Sequence, residues 1–283
     1  MNSRERVLTA LRHEEADRIP IDFGAMRSTG IAAAAYQDLK AYLGLGTETR
    51  VYDLFQWLAE PDPEVARIMG ADVIQLHRLR PSFDIPLRDW KRWRAPNGRK
   101  YLVPGEFNPT MQPDGMLEMR DPDEPSRVVA IMPAGGYYFD SVYHPLENVH
   151  TYAEIDAYKF PVLDDEELEY LTREARRLSE ETDYAILGEF GGNILEFGQG
   201  AFGYQRFMEM LGLEPDLVHY FLEKVADGWI EQLRRYLPAV KDYIHIIQVG
   251  DDLGTQENLQ LSPRMYRELI KPYHKRIYRF IKE

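Results

Sequence analysis

The chain has 283 residues, 44% of them apolar, no cysteine, and a formal net charge of -13. That balance supports a sizeable core and opposes a polyanionic partner, because nucleic-acid binding rests on Lys and Arg neutralising phosphates. Without thiols there is no disulfide, cysteine nucleophile or thiolate metal site in these residues, and no apolar run is long enough for a membrane span or signal peptide, so a cytoplasmic location is expected.

Residues 2–13 read as a helix, with Asn2 or Ser3 as the cap and Val7, Leu8 and Leu11 as its apolar stripe. Arg18 to Gly24 reads as a first strand. Ala32 to Leu45 reads as a helix with a stop at Gly44, Pro61 to Met69 as a short helix ending at Gly70, and Ala71 to His77 as a second strand. From Pro81 to Pro161 the character changes: 11 of the 18 prolines fall there, with turn signals at Asn97-Gly98 and Asp114-Gly115. Residues 78–162 are therefore expected to be a hairpin-rich excursion within a single domain spanning residues 1–283. Regular alternation returns with a helix from Asp164 to Thr182 and a third strand from Tyr184 to Phe190. Helices are expected near Gln205 to Met210 and from Pro215 to Tyr236. A fourth strand runs from Tyr243 to Val249, and Ser262 caps a last helix from Pro263 to Ile281 that Pro272 should kink.

Four apolar strands, each followed by helix, predict an α/β fold with a parallel sheet and right-handed crossovers. Periodicity alone leaves a (β/α) barrel and an open doubly wound sheet both open. No G-x-G-x-x-G turn follows a strand, since Gly44 and Gly46 follow a helix, and a dinucleotide fold is disfavoured.

If the strands belong to a barrel, their C-terminal ends collect Asp22, His77, Glu189, Asn193, Asp251, Asp252 and Gln256. The adjacent pair Asp251 and Asp252 suits substrate or cation binding or acid/base work, or equally a loop-capping role. Glu189 sits in an apolar strand and needs either a pocket or an ion-pair partner. His77 and His245 read as metal ligands or as hydrogen-bonded structural histidines. Gly191-Gly192-Asn193 could cradle an anion on its amides or supply a turn with positive φ. The aromatics from Tyr137 to Tyr158 suit a planar ligand or the core of the excursion. The basic patch from Arg88 to Arg94, in an acidic chain, reads as a solvated hairpin.

Four stretches, Met1-Asn-Ser-Arg-Glu-Arg-Val-Leu-Thr-Ala-Leu11, Asp17-Arg-Ile-Pro-Ile-Asp22, Gly250-Asp-Asp-Leu-Gly-Thr-Gln256, and Leu261-Ser-Pro-Arg-Met-Tyr-Arg-Glu-Leu-Ile-Lys-Pro272, resemble the uroporphyrinogen decarboxylase superfamily. The resemblance runs in order along nearly the whole chain. It implies a (β/α)8 TIM-type barrel, here with about four βα units, so that the chain would be the N-terminal part of a longer one. The superfamily includes decarboxylases and cobalamin-dependent methyltransferases. Decarboxylases share a Met-Arg-Gln-Ala-Gly-Arg-Tyr segment whose arginines bind substrate propionates; here Met26-Arg-Ser-Thr-Gly-Ile-Ala32 keeps Arg27 and puts Ile31 in place of the second arginine. They also place a serine where this chain has Asp252, and a carboxylate there would repel a substrate carboxylate.

The N-terminal helix and the Asp-Asp-Leu-Gly-Thr-Gln motif resemble the methyltransferase branch better. The expectation is a methyltransferase of this superfamily that moves a methyl group between a small substrate or thiol acceptor and a cobalamin on a partner corrinoid protein. Asp251, Asp252 and Glu189 are its candidate catalytic residues, and Asp22, Arg27, His77, Asn193 and Gln256 its candidate substrate contacts. The branch's zinc, held by His-x-Cys and a later Cys, could come only from ligands downstream of this chain. One alternative is porphyrinogen decarboxylation; another is a non-catalytic half-barrel that binds or assembles, whose open sheet edges would favour homo-oligomers.

Overall fold

Helix α1, Ser3–Leu11, opens the computed structural model, which describes residues 1–46 and 48–283. Its N-terminus is a capping box: the Asn2 side chain accepts the Glu5 N–H while the Glu5 carboxylate accepts the Asn2 N–H. Then come α2 (Ala33–Tyr42), the paired strands β1 (Val51–Asp53) and β2 (Leu58–Ala59), α3 (Pro63–Met69) and β3 (Val73–Leu76). Gly70 ends α3 at φ +70°, the left-handed turn expected of a glycine stop.

The proline-rich stretch contains two antiparallel arrays. One pairs β4 (Lys91–Arg94) with β5 (Lys100–Val103); the other orders β6 (Thr110–Met111), β7 (Leu117–Arg120), β8 (Val128–Met132) and β9 (Asp140–Ser141). Gly98 and Gly115 turn at φ +82° and +90°, as their Asn-Gly and Asp-Gly signals require. Next are α4 (Tyr152–Ala157), α5 (Asp165–Glu181), β10 (Ala185–Gly191), α6 (Leu195–Phe202), α7 (Tyr204–Leu213), α8 (Pro215–Val240) and β11 (Ile246–Val249). The chain ends with α9 (Pro263–Met265), a π-helical turn over Tyr266–Ile270, and α10 (Lys271–Lys282). The π turn takes the place of the kink expected at Pro272. A wider turn spares the proline ring a clash with the carbonyl one turn earlier.

β3 and β10 are parallel, and β10 is central in the three-stranded order β11, β10, β3. The architecture is mixed α/β with small sheets. The segment Arg18 to Gly24 is not a strand, contrary to expectation. Pro20 offers no N–H, the Ile21 N–H goes to the Asp72 carboxylate at 2.9 Å, and Asp22 turns the chain by accepting the Ala25 N–H at 2.8 Å. Short α6 escaped sequence reading because Gly198 and Gly200 dilute its helical pattern. Gly198 is there for space: a Cβ would lie 2.1 Å from the Phe207 ring. Gly198→Ala is expected to cost about 1–3 kcal/mol in urea unfolding.

The chain forms two compact units: Met1–Val142 with Glu169–Glu189 and Val240–Gln248, and Tyr143–Leu168 with Phe190–Ala239 and Val249–Glu283. In the first, a large core gathers Trp57, Tyr101, Phe107 and Phe139 from the hairpins. A smaller cluster joins Val7 of α1 to Val73, Ala185 and Leu187 of the parallel strands. Arg6 fastens α1 there, reaching buried Asp72 at 2.7 Å and Asp17 at 2.6 Å. Burial opposes the Asp72 charge, yet bonds from Ile21, Arg18, Ser3 and Arg6 hold its carboxyl below the usual range. The second unit packs Phe202, Phe207 and Phe221 together, with Phe160 stacked on Phe197. No helix among the described residues is long and apolar enough to cross a membrane.

Candidate active site

In the first unit, the strand ends β1, β3 and β10 bring Asp53, Gln75 and Glu189 toward one side chain, Arg27, on a short 3-10 turn (Arg27–Thr29). Arg27 Nε makes a close ion pair with Asp53 Oδ2 and lies 3.5 Å from Glu189 Oε1. Burial works against the guanidinium, but these two carboxylates outweigh it and raise its pKa. Asp53 is fully buried, and its other oxygen accepts the Phe55 and Gln56 N–H groups and the Ser82 hydroxyl, each at 2.9 Å. Glu189 Oε2 accepts Gln75 Nε2 at 2.6 Å. Glu189, placed by the sequence in a pocket or an ion pair, thus has its ion pair.

Around this network stand three buried polar atoms with no hydrogen-bond partner: Tyr52 Oη, Gln75 Oε1 and His77 Nδ1. The Tyr52 and His77 rings are 4.4 Å apart. Burial first, and then the charges of Glu189 and Asp53, push the Tyr52 phenol well above its usual value, so it stays a proton-bearing donor. Gln75 and His77 line a cavity of about 230 Å³. Asp22 accepts the Thr29 hydroxyl at 2.9 Å and shapes the turn that carries Arg27.

The second unit holds a separate cluster. The Asp251 side chain is 2% exposed, and its oxygens accept the first amides of α6, those of Ile194, Leu195 and Glu196, at 2.8–2.9 Å. His274 Nε2 completes the set at 2.6 Å. With four donors on two oxygens, Asp251 is a helix-N-terminal anchor, and little of its acceptor capacity remains for a substrate. His274 stacks on Tyr278 with centroids 5.4 Å apart and meets the Tyr266 hydroxyl at 3.3 Å. Glu196 has its pKa raised, chiefly by burial and then by Asp251, against the lowering effect of Asn193, whose amide it accepts. Asp252 is exposed and accepts the Gly254 N–H at 3.2 Å. Gln256 is exposed on the same loop. Gly191 and Gly192 both have positive φ, as the turn reading requires.

His245 is a structural histidine: its Nδ1 accepts the Ile186 N–H at 3.0 Å, and burial lowers its pKa. Among the described residues no group of three His, Cys, Asp or Glu side chains could hold a metal ion. Sequence reading missed Tyr52, Asp53, Gln75, Glu196 and His274. Only the first two had a local signal, the Val51-Tyr-Asp53 alternation of a short strand.

Comparison with curated proteins gives no match. Among solved structures, a methyltransferase from Methanosarcina mazei aligns with 99% of this chain at 14% identity and a TM-score of 0.47; this chain spans 66% of that protein's length. Residues 141–283, just over half of the sequence, match the family profile of uroporphyrinogen decarboxylase (URO-D). The profile takes in β10, α6, the Asp251 anchor and the Ser262-capped final helix, which include the two later motifs noted in the sequence, and on that match the chain belongs to the URO-D family.

Proposed function

We propose that this chain is part of a (β/α)8-barrel enzyme moving a methyl group between a small substrate and a corrinoid held by a partner protein. The observation that carries this reading is Arg27. In a decarboxylase the corresponding arginine is expected to meet a substrate propionate, but here Asp53 and Glu189 already neutralise it. The adjoining cavity of about 230 Å³ is also small beside the roughly 300–1,000 Å³ of pockets for drug-sized ligands, which suits a small molecule better than a tetrapyrrole. Asp252, carboxylate where decarboxylases keep serine, points the same way.

A partner's corrinoid, when bound, supplies the cobalt that exchanges the methyl group. Cysteine is absent and no three-ligand cluster stands among the described residues, so this donor set does not fit the branch's zinc, and no step is routed through zinc. The chain's own residues position the substrate and donate hydrogen bonds to it. Glu189 and Gln75 orient the substrate heteroatom. Tyr52, held neutral, can donate a hydrogen bond to that atom as it gains the electron pair of the breaking bond to the methyl carbon. Asp251 positions the start of α6 and leaves the exposed Asp252 as the acid at that strand end.

Methyl exchange between methylcobalamin and a panel of small acceptors, followed by the loss of methylcobalamin absorption with the complete gene product, tests the reading. Transfer is expected, with Glu189→Gln slower by about 100-fold. No transfer to any acceptor, or an unchanged rate in Glu189→Gln, would sink it.

A further inference from the structure

We infer that the outer edge of β4 docks an acidic, extended segment of a partner protein, which adds a strand beside Arg92 and Arg94 independently of any methyl transfer. The backbone of the hairpin sets up the edge. β4 and β5 pair with Arg92 opposite Leu102 and Arg94 opposite Lys100. The Leu102 N–H points away from β4, to the Thr49 carbonyl at 2.8 Å, and the Lys100 carbonyl accepts the Gln37 side-chain amide at 2.6 Å. In an antiparallel ladder, residues opposite such a pair also turn their N–H and C=O groups outward, so Arg92 and Arg94 present theirs on the far side of β4. They lie about 7 Å apart along the strand, and among the described residues nothing hydrogen-bonds those four groups. β5 is the sole strand partner of β4 among the described residues. Outward groups at that spacing are the template for an added strand.

Charge then selects the occupant. Side chains alternate along a strand, so exposed Arg92, Arg94 and Lys100 share one face of the hairpin, while Trp93 and Tyr101 turn to the core. Pairs without mutual hydrogen bonds bring their side chains closest, which sets Arg94 and Lys100 together as like charges, a destabilising arrangement. Arg92 has the Glu48 carboxylate at 2.9 Å. Neither Arg94 nor Lys100 has a carboxylate partner among the described residues. Cations on an edge strand can serve to repel other chains, but this chain carries 47 acidic residues against 34 Lys and Arg, so cations here attract acidic surfaces rather than repel them. Asp or Glu at alternate positions of an added strand would lie beside Arg92 and Arg94 and relieve the repulsion. A nucleic acid could meet the charges, but it has no peptide groups to pair with the strand edge.

Fluorescence anisotropy of the complete protein with the labelled peptide Thr-Glu-Val-Glu-Val-Glu-Thr tests the inference. The peptide is expected to bind at least about 10-fold more tightly than its lysine-for-glutamate counterpart. Two further forms, N-methylated on the glutamates or on the valines, block alternate amides, and one of them should bind at least about 10-fold more weakly than the parent. Arg92→Glu with Arg94→Glu, both at exposed positions, should reverse the preference toward the lysine peptide. If that double variant fails to fold, Lys100→Gln serves instead: it removes a like charge, so the unfolding midpoint should not fall, while binding of the acidic peptide should weaken about 2-fold. Equal binding of the acidic and lysine peptides, or of both N-methylated forms and the parent, overturns the inference. So does oligothymidylate binding as tightly as the acidic peptide. A dimer of the protein alone that the double variant abolishes also overturns it, because the occupant is then a second copy.

Discussion

Arg27→Met is expected to lower the unfolding midpoint of the first unit by roughly 6–12 °C, from a loss of about 3 kcal/mol. The substitution keeps much of the side-chain volume and removes the charge, leaving Asp53, which is fully buried, and Glu189, 6% exposed, without their shared cation. Breaking a buried ion pair from one side costs about 3–5 kcal/mol. The lower end applies because the Arg27 side chain remains 36% exposed. Asp53 also keeps three donors on its other oxygen, so the damage should concentrate on Oδ2 and on Glu189. Tryptophan fluorescence reads this transition, since Trp57, Trp90 and Trp93 all lie in the first unit. The double variant Arg27→Met with Asp53→Asn should recover part of the loss, because one stranded charge goes with the cation. A single-variant midpoint within about 2 °C of wild type would show that the network does not hold the unit together.

Asp251→Asn should cost the second unit about 3–5 kcal/mol and release the start of α6. The carboxylate accepts three helix-terminal amides and His274 Nε2, and an amide side chain would turn an N–H toward donors it cannot satisfy. Amide hydrogen exchange isolates the effect: Ile194, Leu195 and Glu196 should exchange at least about 10-fold faster, while α8 changes little. A double-mutant cycle with His274→Phe should show a coupling of about 1–3 kcal/mol, since the two groups touch at 2.6 Å. Protection of those amides unchanged by the substitution would return Asp251 to the role of a free acidic group.

Three of the four expected strands and most helices were legible because apolar period, caps and glycine stops act over a few residues. Asn2, Gly70 and Ser262 each do what their chemistry requires at the predicted place. The family was legible for a related reason, since its motifs are contiguous. The failures lay where neighbours decide. Arg18 to Gly24 has strand composition, but Asp72 takes the Ile21 N–H that a ladder would have used. Helix α6 has weak local propensity and is fixed instead by Phe207 against Gly198 and by Asp251 at its first amides.

The candidate site divides in the same way. Position along the chain picked out Glu189, His77 and Asp251, and the family resemblance picked out Arg27, as groups needing partners, because a charge or polar group beside an apolar strand has to be met by something. Which partner meets it was decided only in the tertiary structure. Arg27 could have awaited a substrate carboxylate, and it is held by Asp53 and Glu189; Asp251 could have faced a ligand, and it anchors a helix. Pairing energy depends on distance and burial, and those quantities come into being only when strands remote in sequence are brought side by side.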